Sequence, residues 1–157
     1  MVTGGAGILG RAICRALVRA GARVVVLDLC LESAQALAAE RCAASGEAIG
    51  VGCDVLDRSS VEAAARGVLE KFGRADILVN GAGGNRPQAK TSADQPFFDL
   101  PADAMRSVVD LNLLGTMLPS QVFGKWQYPL CWPTLIRQPR PLRAWSLSDD
   151  RLNCRTG

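Results

Sequence analysis

Gly5, Gly7 and Gly10 stand at G-x-G-x-x-G spacing in the opening "TGGAGILGRA", and no other feature limits the fold as much. Glycines this close together let a backbone turn sharply and approach other backbone without a Cβ in the way. The pattern carries weight only between a strand and a helix. Val2 and Thr3 read as the end of a strand. "ILGRAICRALVRAG" (8–21) reads as a helix closed by Gly21.

The alternation continues down the chain. "ARVVVLD" (22–28), "EAIGVGCD" (47–54) and "RADILVN" (74–80) have the apolar, β-branched character of buried parallel strands. "LESAQALAAERCAASG" (31–46) and "SSVEAAARGVLEKFG" (59–73) lie between them as helices. The second places Ser59 and Glu62 at capping-box spacing, with Val61, Ala65, Val68, Leu69 and Phe72 on one face. Residues 101–124 predict a further helix, with Met105, Val108, Val109, Leu113 and Met117 near one face and Pro119 bending its end. Residues 84–100 have loop chemistry and follow the end of a strand, where open α/β sheets bind ligands. Strands alternating with helices of this length imply right-handed crossovers and a parallel sheet covered on both faces.

Composition narrows the function. The chain has 157 residues, enough for one domain that buries roughly 70% of its unfolded surface. A net charge of +3 without a basic run gives no nucleic-acid groove. No apolar stretch approaches the ~20 residues of a membrane span, and the N-terminus lacks the pattern of a secretory leader. The six cysteines form no C-x-x-C pair and there is no histidine, so a metal site and His-dependent triads are not expected. Cys14 and Cys42 among alanines read as reduced, buried thiols, which predicts a cytoplasmic protein.

The glycine loop predicts dinucleotide binding. Gly4, Gly5 and Gly7 would let backbone approach a pyrophosphate, and the N-terminus of the following helix would stabilise its charge. Asp28 follows the next strand, near the position of a ribose-binding acid. Its carboxylate suits ribose hydroxyls and repels a 2′-phosphate, so NAD is expected over NADP.

Over residues 2–125 the sequence resembles the short-chain dehydrogenase/reductase family. "TGGAGILG" looks like the family's T-G-x-x-x-G-x-G, with Ile8 where glycine is usual, and so implicates Thr3, Gly4, Gly5, Gly7, Ile8, Leu9 and Gly10. "CDV" (53–55) matches its D-V, which implies that Asp54 and Val55 hold the adenine. "NGAGG" (80–84) matches its N-A-G motif. Asn80 would support the central sheet, while Gly81, Ala82 and Gly83 would let the nicotinamide ribose approach. "DLNLLGT" (110–116) matches its N-x-x-G segment, which makes Asn112 the asparagine of a proton relay through a structural water. The motifs together resemble a subgroup of D-mannonate (fructuronate) oxidoreductases. The resemblance implies a partial Rossmann-type, doubly wound α/β sheet of order 3-2-1-4 with a short first strand. It also implies hydride transfer between nicotinamide and an alcohol or ketone, a small-molecule substrate, and homo-oligomeric relatives; for this chain both assembly through the 101–124 helix and aggregation through the tryptophans of the tail stay open.

Residues 126–157 read differently. They hold all three tryptophans, four prolines and the only tyrosine, without lysine or a regular period. The expected division is an incomplete dinucleotide-binding domain over 1–125 and an irregular tail over 126–157. A change of reading frame near Lys125 would account for the break. The family's Tyr-x-x-x-Lys pair and its serine have no counterpart: Trp132 stands four residues after Tyr128, and no lysine follows Lys125. A lysine in that place lowers the tyrosine's pKa for proton exchange with substrate. The 157 residues are therefore expected to lack turnover and to form a marginal domain. Three other readings remain: a non-catalytic NAD-binding remnant, a sugar-nucleotide epimerase suggested by "TGGAGILG", and a methyltransferase suggested by the glycine loop alone.

Overall fold

The computed structural model describes residues 1–42 and 47–127. The readings made for 128–157, Tyr128 among them, lie outside the described residues. Four parallel strands form one sheet: β1 (Val2–Thr3), β2 (Val24–Asp28), β3 (Ala48–Gly52) and β4 (Val79–Asn80). Their order is β3-β2-β1-β4, as the resemblance implies. The first strand is two residues long and pairs on both sides, Val2 with Val26 and with Val79.

Three helices alternate with the strands: α1 (Ile8–Arg19), α2 (Leu31–Cys42) and α3 (Arg58–Phe72). After β4 come two short 3₁₀ turns, Pro87–Ala89 and Phe97–Asp99, then α4 (Ala102–Val109), a π turn over Asp110–Leu114, and α5 (Gly115–Gln127).

The side-chain alternation of β2 divides the core. Val24 and Val26 join Val2, Cys14, Val18, Ala34 and Leu37 on the face covered by α1 and α2. Val25 and Leu27 join Val61, Ala65, Val68, Val122 and Phe123 on the face covered by α3 and α5. These four β2 side chains are all buried. Each burial of this size contributes about 1.5–3 kcal/mol, so the strand anchors both layers.

Several local expectations change. The cap of α3 is Asp57, whose carboxylate accepts from the Ser59 N–H at 2.9 Å. An aspartate two positions earlier outcompetes the Ser59 box, and Glu62 instead pairs with Arg58 at 3.0 Å. The strand expected over 74–80 is regular only at Val79 and Asn80, and β3 is shorter than 47–54. The helix expected over 101–124 is interrupted by the π turn and runs through Pro119 to Gln127. Pro119 is fully buried and cannot donate to the Gly115 carbonyl four residues back. The stripe of Met105, Val109, Leu113 and Met117 is exposed, Val109 by 55%, while Val122 and Phe123 of α5 reach the sheet. Periodicity finds an apolar stripe but does not say which of two stripes meets the core.

Gly50 of β3 lies so close to α2 that a Cβ there would stand 2.3 Å from the Ala34 carbonyl carbon. Around Gly67 of α3 there is open space. Gly50→Ala is expected to cost about 1–3 kcal/mol by overpacking. Gly67→Ala should stabilise by about 0.5–1 kcal/mol through helix propensity. Paired thermal melts of the two variants check the close approach, and a Gly50→Ala protein as stable as the parent would refute it.

Candidate functional site

The carboxyl ends of all four strands open into one cleft of about 450 Å³. Its walls are the β1–α1 loop, the residues after β2 and β3, and the loop after β4. A smaller cleft of about 170 Å³ lies at the opposite strand ends, beside Met1, Arg23 and Phe72. The larger cleft has the position at which parallel α/β sheets take ligands.

The glycine loop is shaped by close backbone contact. Gly4 has φ +60°, and a Cβ on it would meet the Ala82 Cα at 2.8 Å. A Cβ on Gly10 would stand 2.2 Å from the Gly4 carbonyl oxygen. The first two turns of α1 can therefore fold back against the loop only if residue 10 is glycine. The α1 N-terminus begins at Gly7 with no side-chain cap and no acid in its first turn. Its free N–H groups and positive dipole end thus remain available to an anion.

Two interactions hold the walls together. The buried Thr3 Oγ1 accepts from the Gly81 and Ala82 N–H groups, each at 3.1 Å. The half-buried Asp28 carboxylate accepts from the Ala6 N–H at 2.9 Å and the Cys30 N–H at 3.2 Å. Each carboxylate oxygen retains a lone-pair site for a further donor. Asp54 Oδ1 accepts from the Leu56 N–H at 2.9 Å, and Val55 is buried below it against Gly115.

The sequence-derived residues divide into those on the cleft surface and those behind it. Gly4, Gly7, Ile8, Leu9, Gly10, Asp28, Asp54, Val55, Gly81, Ala82 and Gly83 line the cleft. Thr3 and Gly5 lie behind the loop, Gly5 packed near Val26 and Cys14. Asn80 donates to Ser120 Oγ at 3.0 Å. Asn112 donates from Nδ2 to the Gly84 and Val108 carbonyls, each at 2.7 Å, and accepts from the Gly84 N–H at 3.2 Å. Both of its N–H donors are thus spent on protein groups, while Oδ1 keeps one lone-pair site. Leu29, Cys53 and Leu111 also line the cleft and were not singled out by sequence. Each is the immediate neighbour of a residue that was. Ile8, Leu9 and Leu29 form an apolar rim, 93%, 77% and 76% exposed.

Cys53 is buried at the cleft floor, and burial, with the nearby Asp54 charge, pushes its thiol up to about 11. Burial also raises Cys14, whereas Cys30 is exposed. Among the described residues no group of three or more His, Cys, Asp or Glu is placed to hold a metal ion. No helix among them is long and apolar enough to cross a membrane.

The short-chain dehydrogenase family model matches residues 1–125. The uncharacterized oxidoreductase UxuB of Bacillus subtilis is 43% identical, over 80% of this chain and 48% of its own length. D-threitol dehydrogenase of Mycolicibacterium smegmatis is 42% identical, over 80% and 45%. A crystal structure from Haemophilus influenza, provisionally assigned as a D-mannonate oxidoreductase and holding NAD, superposes with a TM-score of 0.76 at 33% identity. That match covers 80% of this chain and 49% of the other. The chain spans about half the length of the curated relatives it matches.

Two outcomes test this geometry. Thr3→Val keeps the shape but removes the acceptor for two N–H groups, and should destabilise by about 1–3 kcal/mol where Thr3→Ser does not. Chemical denaturation of both variants measures the difference. The raised Cys53 thiol contributes stability that is complete below its ordinary value of 9.0 and is lost as pH rises towards 11. Unfolding free energy should fall by about 2 kcal/mol across that window, and Cys53→Ala should flatten the fall. An equally steep fall in Cys53→Ala would assign it elsewhere.

Proposed function

The chain belongs to the short-chain dehydrogenase family, and from that premise we propose that residues 1–125 are the NAD-binding part of an oxidoreductase. The reaction is hydride transfer between nicotinamide and an alcohol or ketone. The carrying observation is the Asp28 carboxylate at the cleft wall, braced by the Ala6 and Cys30 N–H groups. Fixed in this way, it can accept from ribose hydroxyls, and its charge opposes a 2′-phosphate. NAD therefore fits the cleft better than NADP.

The rest of the cleft is consistent with that cofactor. The glycine loop, with Gly4, Gly5, Gly7 and Gly10, leaves room for backbone to approach a pyrophosphate at the uncapped start of α1. Ile8 and Leu9 flank that approach. Asp54 and Val55, which line the cleft, hold the adenine in this reading. Thr3 fixes the Gly81–Gly83 loop, beneath which Asn80 is tied to α5. Bound NAD supplies the hydride acceptor. Asn112 in this reading belongs to the proton relay of the complete site.

A sugar acid of the mannonate/fructuronate type is the proposed substrate class. It is supported by the sequence resemblance and by the likeness to the provisionally assigned D-mannonate oxidoreductase. The 157 residues hold no Tyr-x-x-x-Lys pair, so we propose cofactor binding without turnover for this chain. The exposed Met105, Val109, Leu113 and Met117 offer a face for assembly with further copies, and a cytoplasmic setting suits the reduced thiols.

Titration of NADH and NADPH by nicotinamide fluorescence tests the proposal. NADH is expected to bind more tightly, and Asp28→Ala should erode that preference by about tenfold, the equivalent of ~1.4 kcal/mol. No hydride should pass to fructuronate. Displacement of NADH by S-adenosylmethionine, or no preference between the two cofactors, would defeat the reading.

A further inference from the structure

Three residues four apart on the π turn and α5 repeat one interaction. Asn112 Nδ2 donates to the Val108 carbonyl at 2.7 Å, Thr116 Oγ1 to the Asn112 carbonyl at 3.0 Å, and Ser120 Oγ to the Thr116 carbonyl at 2.7 Å. Each is a side-chain bond to the carbonyl four residues back, so the three side chains share one helix face. The outer two also reach away from the helix. Ser120 Oγ accepts from Asn80 Nδ2 at 3.0 Å, and Asn112 exchanges two bonds with the Gly84 backbone.

The lengths agree. Eight residues of helix rise about 12 Å, and the four residues from 80 to 84 span at most about 14 Å when extended. The loop after β4 therefore runs antiparallel to the helix face and is fastened to it at both ends. On its other side Thr3 Oγ1 holds the Gly81 and Ala82 N–H groups.

We infer that Ser120 is a positioning residue for this loop, and through it for the half of a dinucleotide that lies beyond the glycine loop from Asp28. The inference rests on the nucleotide-binding reading above. β2 and β4 flank β1 on opposite sides, so Asp28 and the 81–83 loop stand on opposite sides of the glycine loop. Loosening the Ser120 end should affect only the half that rests on the loop. Ser120 acts through Asn80 and does not line the cleft itself.

The test compares the full chain with Ser120→Ala and Ser120→Thr. Backbone amide exchange is measured without ligand, then NADH and AMP are titrated. Ser120→Ala should speed exchange at Gly81, Ala82 and Gly84 and leave α1 and α3 unchanged. It should weaken NADH about fivefold, the scale of one neutral hydrogen bond, with AMP affinity unaltered. Ser120→Thr should restore both readouts. Unchanged exchange over 81–84, or equal weakening of NADH and AMP, would overturn the inference. A parent chain that binds no NADH would instead defeat the nucleotide reading, and the exchange data alone would then decide whether Ser120 fixes the loop.

Discussion

Two residues join the halves of the sheet. Val2 and Thr3 are all of β1, and they pair with β2 on one side and β4 on the other. The Val2 side chain seals the α1–α2 face of the core, while the Thr3 hydroxyl gathers the N–H groups of the loop after β4. One short strand therefore sets the distance between the glycine loop and the 81–84 loop. The cleft is the space those two loops enclose with the ends of β2 and β3. Its existence depends on parallel pairing at the centre more than on any residue lining it.

The glycine positions carry that constraint into the sequence. Gly4 and Gly10 are set by backbone-to-backbone approach within the loop region, as Gly50 is by the approach of α2 to β3. In each case a methyl group would collide with main chain, which cannot rotate away as a side chain can. A glycine motif that looks like a ligand signature is thus first a packing requirement, and ligand access follows from the packing.

Much of this was legible in the sequence because it rests on local spacing. The three β-branched runs, the Gly-x-Gly-x-x-Gly loop and the acid at Asp28 each depend on near neighbours in the chain, and together with the family motifs they imply the 3-2-1-4 sheet. The contacts of Asn112 with Gly84 and of Asn80 with Ser120 join residues 28 and 40 positions apart, beyond any periodic signal. The cap of α3 was misplaced because Asp57 and Ser59 are both good N-cap residues and only geometry decides between them. The stripe on α4 and α5 was visible in the sequence but its exposure was not, because two apolar faces coexist there and a helical period does not rank them. Gly50 gave no signal, since a lone glycine in a strand has many uses.

The apolar rim of Ile8, Leu9 and Leu29 has a thermodynamic consequence. Large aliphatic side chains held in water around a polar cleft keep a shell of hydration water that a seated ligand displaces. Release of that water lowers the heat capacity of the system. Association at this cleft should therefore become more exothermic with rising temperature, even though the groups that orient the ligand are charged or polar. Polar atoms would orient a ligand seated here, and the hydrocarbon rim would set the temperature dependence of its binding.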